Sequence, residues 1–141
     1  DNAYALMRAE GGAIAMLHSS ATQWRHRFNL ELSLQEGSIV LSGLLTGSKS
    51  YGAETLTVAY KADSDRGDPR EDTTRYNSDP SWEREIEEFA ASVIEDRPIA
   101  VGSSADAYKT MELVYRIYCA DKAWAGKWGL AIDAANYTKT Y

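Results

Sequence analysis

The sequence predicts an α+β domain built on an open, largely antiparallel β-sheet covered on one face by helices. Three observations predict it. Residues Trp24 to Leu34 alternate with a period of two: Trp24, His26, Phe28, Leu30, Leu32 and Leu34 fall on one side, Arg25, Arg27, Asn29, Glu31 and Ser33 on the other. That is the pattern of a strand with one buried and one wet face. Trp82, Ile86, Phe89, Val93 and Ile94 recur at helical spacing and form one apolar stripe. Finally, the strand-like segments precede a helix pair spanning Trp82 to Trp124, the order of an α+β chain rather than of a parallel α/β one.

Taken in order, Ala3–Arg8 and Ala13–His18 read as strands joined through Gly11-Gly12, a pair suited to a tight hairpin turn. The alternating strand Trp24–Leu34 follows. Glu36-Gly37 turns the chain into Ser38–Leu41, and the polar loop Leu44–Gly52 leads to the strand Glu54–Tyr60. Asp63–Asp72 carries Gly67 and Pro69 among many charges and reads as an exposed loop before a short strand, Thr73–Tyr76.

The first helix has Ser78 or Asp79 as cap, Pro80 at its first position and acidic residues toward its positive N-terminal end. Arg97-Pro98 ends it, because the residue before proline is driven out of the helical region. Ser103 or Ser104 caps the second helix, whose buried face is expected to hold Ala107, Met111, Val114, Ile117 and Tyr118. From Gly126 onward two readings are open, a last strand or tag-like residue. A sheet of this kind leaves its second face bare, and such a face usually meets another subunit or domain.

At 141 residues the chain is one domain, with room for a core; 44% of residues are hydrophobic and 26% charged. A net charge of -6 and the lack of a basic run exclude non-specific nucleic-acid binding, which needs a cationic surface. No apolar run approaches the roughly 20 residues that span a bilayer. The start, Asp1-Asn2-Ala3-Tyr4, has neither initiator Met nor a signal-peptide pattern, so a fragment or isolated domain of a cytoplasmic protein is expected. Cys119 is the one cysteine and reads as a buried small apolar residue.

Complete chemical motifs are missing. There is no Gly-x-Gly, hence no dinucleotide fingerprint, and no phosphate-binding loop. His18 and His26 could sit near Trp24 on neighbouring strands, but a metal site would need a third ligand from elsewhere. His26 is open to two roles, a hydrogen-bonded residue of a mixed core or a contact to substrate or partner. Ser48-Lys49-Ser50-Tyr51 offers hydroxyls, an ammonium and a phenol in four residues, groups that suit a sugar, polyol or phosphate and equally suit a solvated connection. Arg25 and Arg27 read as surface or interface residues, and Glu83–Glu88 as a solvated helix face.

The helix pair with its connector resembles the C-terminal half of the Gfo/Idh/MocA oxidoreductases, which include glucose–fructose oxidoreductase and inositol dehydrogenase. The matching residues are Glu85-Ile86-Glu87-Glu88-Phe89, Val93 to Pro98, Gly102 to Ala107 and Met111 to Tyr118, with Asp1–Arg8 and Gly12–Ala15 similar to the strand pair after the family's central substrate motif. The resemblance covers roughly residues 1–124. It implies a C-terminal domain that walls a substrate site and forms oligomer contacts through its bare sheet face. It also implies an NAD- or NADP-binding Rossmann domain elsewhere in the full-length protein, and a sugar, inositol or related polyol as substrate.

The family's Glu-Lys-Pro and Asp-x-x-x-His motifs are absent: the three prolines follow Asp68, Asp79 and Arg97, and Ile14 and Thr22 stand four residues before the histidines. No catalytic or cofactor-binding residue carries over. This chain alone is therefore expected to be inactive and to bind no NAD. Trp24, His26, Lys49 and Tyr51 are the expected substrate contacts, Trp24 stacking on a sugar face and Lys49 and Tyr51 bonding hydroxyls. The alternative is a non-catalytic binding or assembly module using the same sheet face. A third reading, an enzyme with His26 as its own base, has the least support.

Overall fold

The computed structural model describes residues 2–49, 51–62 and 69–131. The elements run β1 (Asn2–Arg8), β2 (Ile14–Ser20), β3 (Asn29–Leu34), β4 (Gly37–Ser42), β5 (Glu54–Tyr60), β6 (Arg70–Tyr76), α1 (Ser81–Ile94), α2 (Ser104–Ala120) and α3 (Lys122–Trp128). The class is α+β. The chain divides into two units, Asp1–Ala3 with His18–Ile86 and Tyr4–Leu17 with Glu87–Tyr141.

The first unit is organised by an antiparallel meander in the order β3-β4-β5-β6. Its register sets Leu32 opposite Ile39 and Ile39 opposite Val58, and it aligns Leu30, Leu41 and Leu56 in a second row. Side chains alternate between faces along a strand. One face therefore carries Leu30, Leu32, Leu34, Ile39, Leu41, Leu56, Val58 and Tyr60. The other carries Glu31, Ser33, Ser38, Val40, Thr55, Thr57, Thr73 and Arg75. On that polar face the Thr57 and Thr73 hydroxyls, on the paired strands β5 and β6, are hydrogen-bonded at 3.0 Å.

Three expectations about the strands are corrected. The single sheet resolves as two, a β1–β2 pair and the four-stranded meander. The period-two pattern is regular strand only from Asn29: residues 21–28 are irregular, with Asn2 Nδ2 donating to Thr22 Oγ1 and the Thr22 amide donating to Ser20 Oγ. Leu30, Leu32 and Leu34 remain 45%, 42% and 57% exposed, and no hydrophobic side chain among the described residues is buried. β6 is longer than expected, starting at Arg70 and taking in part of the predicted loop; residues 63–68 of that loop lie outside the described residues.

The helices form where their end groups are satisfied. Asp79 accepts from the Ser81 amide at 3.1 Å ahead of α1, and the hydroxyl and amide of Ser81 hold its carboxyl below the ordinary range. The apolar stripe of α1 stays open, with Trp82 and Phe89 75% and 58% exposed. Its best-covered residue is instead Ser92, 6% exposed. The Ser92 carbonyl accepts from the Arg97 amide as the chain leaves the helix through Asp96 at φ 49. Ser103 caps α2 as expected, in a reciprocal box: its hydroxyl accepts from the Asp106 amide at 3.2 Å while Asp106 accepts from the Ser103 amide at 3.2 Å. The expected buried face of α2 is corrected, since Met111 and Tyr118 are 63% and 43% exposed.

The segment from Gly126, read as a strand or tag, is corrected as well. Residues 122–128 are helical because Asp121 accepts from the Ala123 and Trp124 amides, and Gly129 in the left-handed region (φ 63) closes the turn. Trp124 packs between Tyr118 and Trp128, with centroids at 6.2 and 5.8 Å, and Tyr115 donates to the Ala131 carbonyl at 3.0 Å. Residues 132–141 lie outside the described residues. Among the described residues no helix is long and apolar enough to cross a membrane.

Arg97 fixes the turn after α1. It grips Glu88 with two guanidinium nitrogens at 2.7 and 3.0 Å and reaches Glu95 at 2.8 Å. The Arg97 hydrogen bond holds the Glu88 carboxyl below the ordinary glutamate range. A depressed carboxylate pKa stabilises the fold above the ordinary value, and that contribution is lost as pH falls through the lowered one. Arg97→Gln is therefore expected to raise the Glu88 pKa in a carboxylate NMR titration; equal values in both proteins would contradict the clasp.

Candidate functional site

The candidate site lies at the end of the meander where β3 begins and the β4–β5 loop returns. Gly43 is the hinge. It is buried, it adopts φ 74, and its amide donates to the Phe28 carbonyl at 3.0 Å, continuing the β3–β4 ladder by one pair. A Cβ at this position would fall on the Ala53 carbonyl oxygen, so the two limbs of the loop close only over glycine. Glu54 then ties the loop down by accepting from the Leu45 amide at 2.9 Å. Thr46 shapes the tip: its carbonyl accepts from the Lys49 amide at 2.9 Å, and its hydroxyl lies 3.2 Å from that of Ser48. Lys49 itself sits in the left-handed region at φ 55. That conformation is uncommon for a residue with a side chain and is often found at functional loops.

This scaffold brings two of the four expected contacts together. The rings of His26 and Tyr51 stack with centroids 5.0 Å apart and planes 23° from parallel. Lys49 is exposed on the same loop as Tyr51, just before it in sequence. Trp24 stands apart, 92% exposed. No ring contact or hydrogen bond joins Trp24 or the Lys49 side chain to the stacked pair among the described residues. Ser50 lies outside them. His18 is on β2, which belongs to a different sheet from β3, so the expected neighbouring-strand arrangement with His26 does not form. Sequence patterning does not single out Gly43, Thr46 or Glu54. The only signal for them is a glycine directly after an apolar strand and an acidic residue at the start of the next.

Chemically, the pair offers a flat aromatic surface with two polar edges beside loop hydroxyls and an ammonium. Those groups can hydrogen-bond a polyhydroxylated ligand. Among the described residues no three His, Cys, Asp or Glu side chains converge to hold a metal ion. A dinucleotide is a poor fit for the described residues too. A diphosphate needs free amides at a helix N-terminus behind a parallel strand. Here the paired strands of the meander are antiparallel, and one amide at the start of α1 (Ser81) and the cap amide of α2 (Ser103) already donate to carboxylates.

The second unit holds a separate depression of about 400 Å³ between Tyr4–Met7 of β1 and Leu113, Arg116, Ile117 and Ala120 of α2. Sequence patterning gives no sign of it. Compared with family models, characterised proteins and solved structures, the chain matches none.

Gly43→Ala tests whether this loop is built as described. The strained φ and the carbonyl clash are expected to cost about 2 kcal/mol or more in urea unfolding. The same substitution should remove the ring-current displacement of the His26 proton resonances. A neutral substitution would mean that the loop does not close over residue 43.

Proposed function

We propose that this chain is a substrate-binding and oligomerisation domain, the C-terminal part of an NAD(P)-dependent oxidoreductase of the Gfo/Idh/MocA kind acting on a sugar, inositol or related polyol. The observation that carries the assembly role is the meander's apolar face, whose β3 leucines stay about half exposed. A water-facing row of this size is unfavourable, since each such side chain gains roughly 1.5–3 kcal/mol on full burial. Exposed contiguous apolar surface marks interaction sites.

The oxidoreductase part rests on the sequence resemblance across the helix pair, and a dehydrogenase-like C-terminal fold is part of the same proposal. The His26–Tyr51 stack, with Lys49 on the neighbouring turn, supplies the polyol-facing wall. The base and the nicotinamide site belong to a Rossmann domain outside this chain, so the chain alone is inactive. A cytoplasmic setting goes with this reading, supported by a single free thiol rather than a disulfide framework. The second reading, a non-catalytic assembly module, uses the same apolar face without the loop site.

Two measurements separate these readings. Leu56→Lys, on the apolar face, is expected to lower the average mass in light scattering, while Thr57→Lys, on the polar face, leaves it unchanged; equal effects would remove the assembly role. The reading frame upstream of Asp1 is expected to encode a Gly-x-Gly-x-x-Gly strand–turn–helix unit, and NADH added to this chain alone should show no fluorescence change. A frame without that unit would leave only the assembly module. Micromolar NADH binding would overturn the division of labour.

A further inference from the structure

We infer that the free edge of β3 is a pairing site for the same edge of a second copy of this chain, in one particular register. The two edges of the meander differ sharply. β6 carries Arg70, Glu71, Asp72 and Arg75 among its seven residues, the charged composition that blocks strand addition. β3 carries one charge in six, Glu31, and its other edge neighbour is absent among the described residues.

The direction of the backbone groups follows from two hydrogen bonds. The Gly43 amide donates to the Phe28 carbonyl and the Lys61 amide to the Glu36 carbonyl. In an antiparallel ladder hydrogen-bonded pairs alternate with non-bonded ones. Leu30, Leu32 and Leu34 therefore point their N–H and C=O groups at β4, and Glu31 and Ser33 point theirs outward, away from the sheet.

Self-pairing of two such edges about a two-fold axis must keep leucine over leucine, so slips of one residue are forbidden. Centring the axis on Glu31 sets two carboxylates opposite each other, which is destabilising. Centring it on Leu32 sets Leu32 against Leu32 and Leu30 against Leu34, and it makes Glu31 and Ser33 a hydrogen-bonded pair on each side of the axis. Asn29 Nδ2 already donates to Glu31 Oε1 at 2.8 Å, which leaves Oε2 to accept from the partner's serine hydroxyl.

The occupant is thus a second copy, because the strand is complementary to itself in face and in backbone direction, and this register sets its one charge, Glu31, opposite an uncharged serine. The contact is isologous, so it closes at two chains and leaves only the charged β6 edges outside. It would also join two apolar faces of roughly 400 Å² projected area each into one of roughly 800 Å², the per-partner size of a standard interface. This strand-edge contact is distinct from the face contact proposed above.

The test mixes two variants of the full chain, Glu31→Cys and Ser33→Cys, each in a Cys119→Ser background, under mild oxidation. Opposed residues of a hydrogen-bonded pair lie about 5.5 Å apart at Cα, within disulfide reach. Both positions are on the polar face, so stacking of apolar faces cannot link them. The expected product is the mixed disulfide dimer, one chain of each variant, in clear excess over either homodimer. Predominant homodimers of the Glu31→Cys variant, or no disulfide dimer at any concentration, would overturn the pairing. In the unmodified chain the Glu31 and Ser33 amides should exchange more slowly with deuterium as concentration rises; exchange independent of concentration would overturn it equally, including the case in which another segment covers this edge.

Discussion

The structure depends on the register of one antiparallel meander. Because Leu32 faces Ile39 and Ile39 faces Val58, with Leu30, Leu41 and Leu56 alongside, every leucine of β3 is committed to one face. A slip by a single residue would exchange that face for the Ser/Thr one. The turns protect the register: Gly43 admits a backbone approach that no side chain permits, and the β3–β4 hairpin closes with Leu34 opposite Gly37. What the register concentrates, the described residues do not bury. Burial of apolar surface is the main favourable term in folding, and the sheet's largest share of it is left open to whatever covers this face.

The same arrangement decides where chemistry can sit. One end of the meander is locked by Gly43 and Glu54, and it is there that the His26–Tyr51 stack and the left-handed Lys49 are presented. At α1 and α2 the Ser81 and Ser103 amides donate to the Asp79 and Asp106 carboxylates, and the Asp106 amide donates to the Ser103 hydroxyl. Asp106 is held below the ordinary carboxylate range by the Ser103 hydroxyl and amide, so this cap stays charged at neutral pH. An exposed loop carrying the His26–Tyr51 stack and an open apolar sheet are the features on which the proposed substrate and assembly role draws. The resemblance in the helix pair supplies the rest of that proposal.

Much of this is legible in residue order. Alternation over Leu30, Leu32 and Leu34, the Gly11-Gly12 turn, the Ser103–Asp106 cap and the stop before Pro98 all follow from local rules that tertiary context does not override. The misses have physical causes. Alternation from Trp24 to Phe28 continues the strand pattern, but a pattern does not supply a partner strand, and residues 21–28 remain irregular. Arg70, Glu71 and Asp72 look like loop residues because charge is what an edge strand needs. Gly126 and Gly129 suggest the end of helical structure, whereas the Asp121 cap starts a further helix and Gly129 finishes it. His26 and Tyr51 are recognisable as site residues by type; their stacking depends on a loop closure that no local signal specifies. Periodicity shows which face of α1 and of the sheet is apolar and not what covers it.

An apolar sheet that belongs to an assembly must associate when the chain is concentrated. Sedimentation equilibrium of the 141-residue chain over a wide concentration range tests this most directly. The average mass is expected to rise to at least twice the 15.6 kDa of one chain. A mass that stays at 15.6 kDa at every concentration, with the sheet intact by circular dichroism, would contradict it.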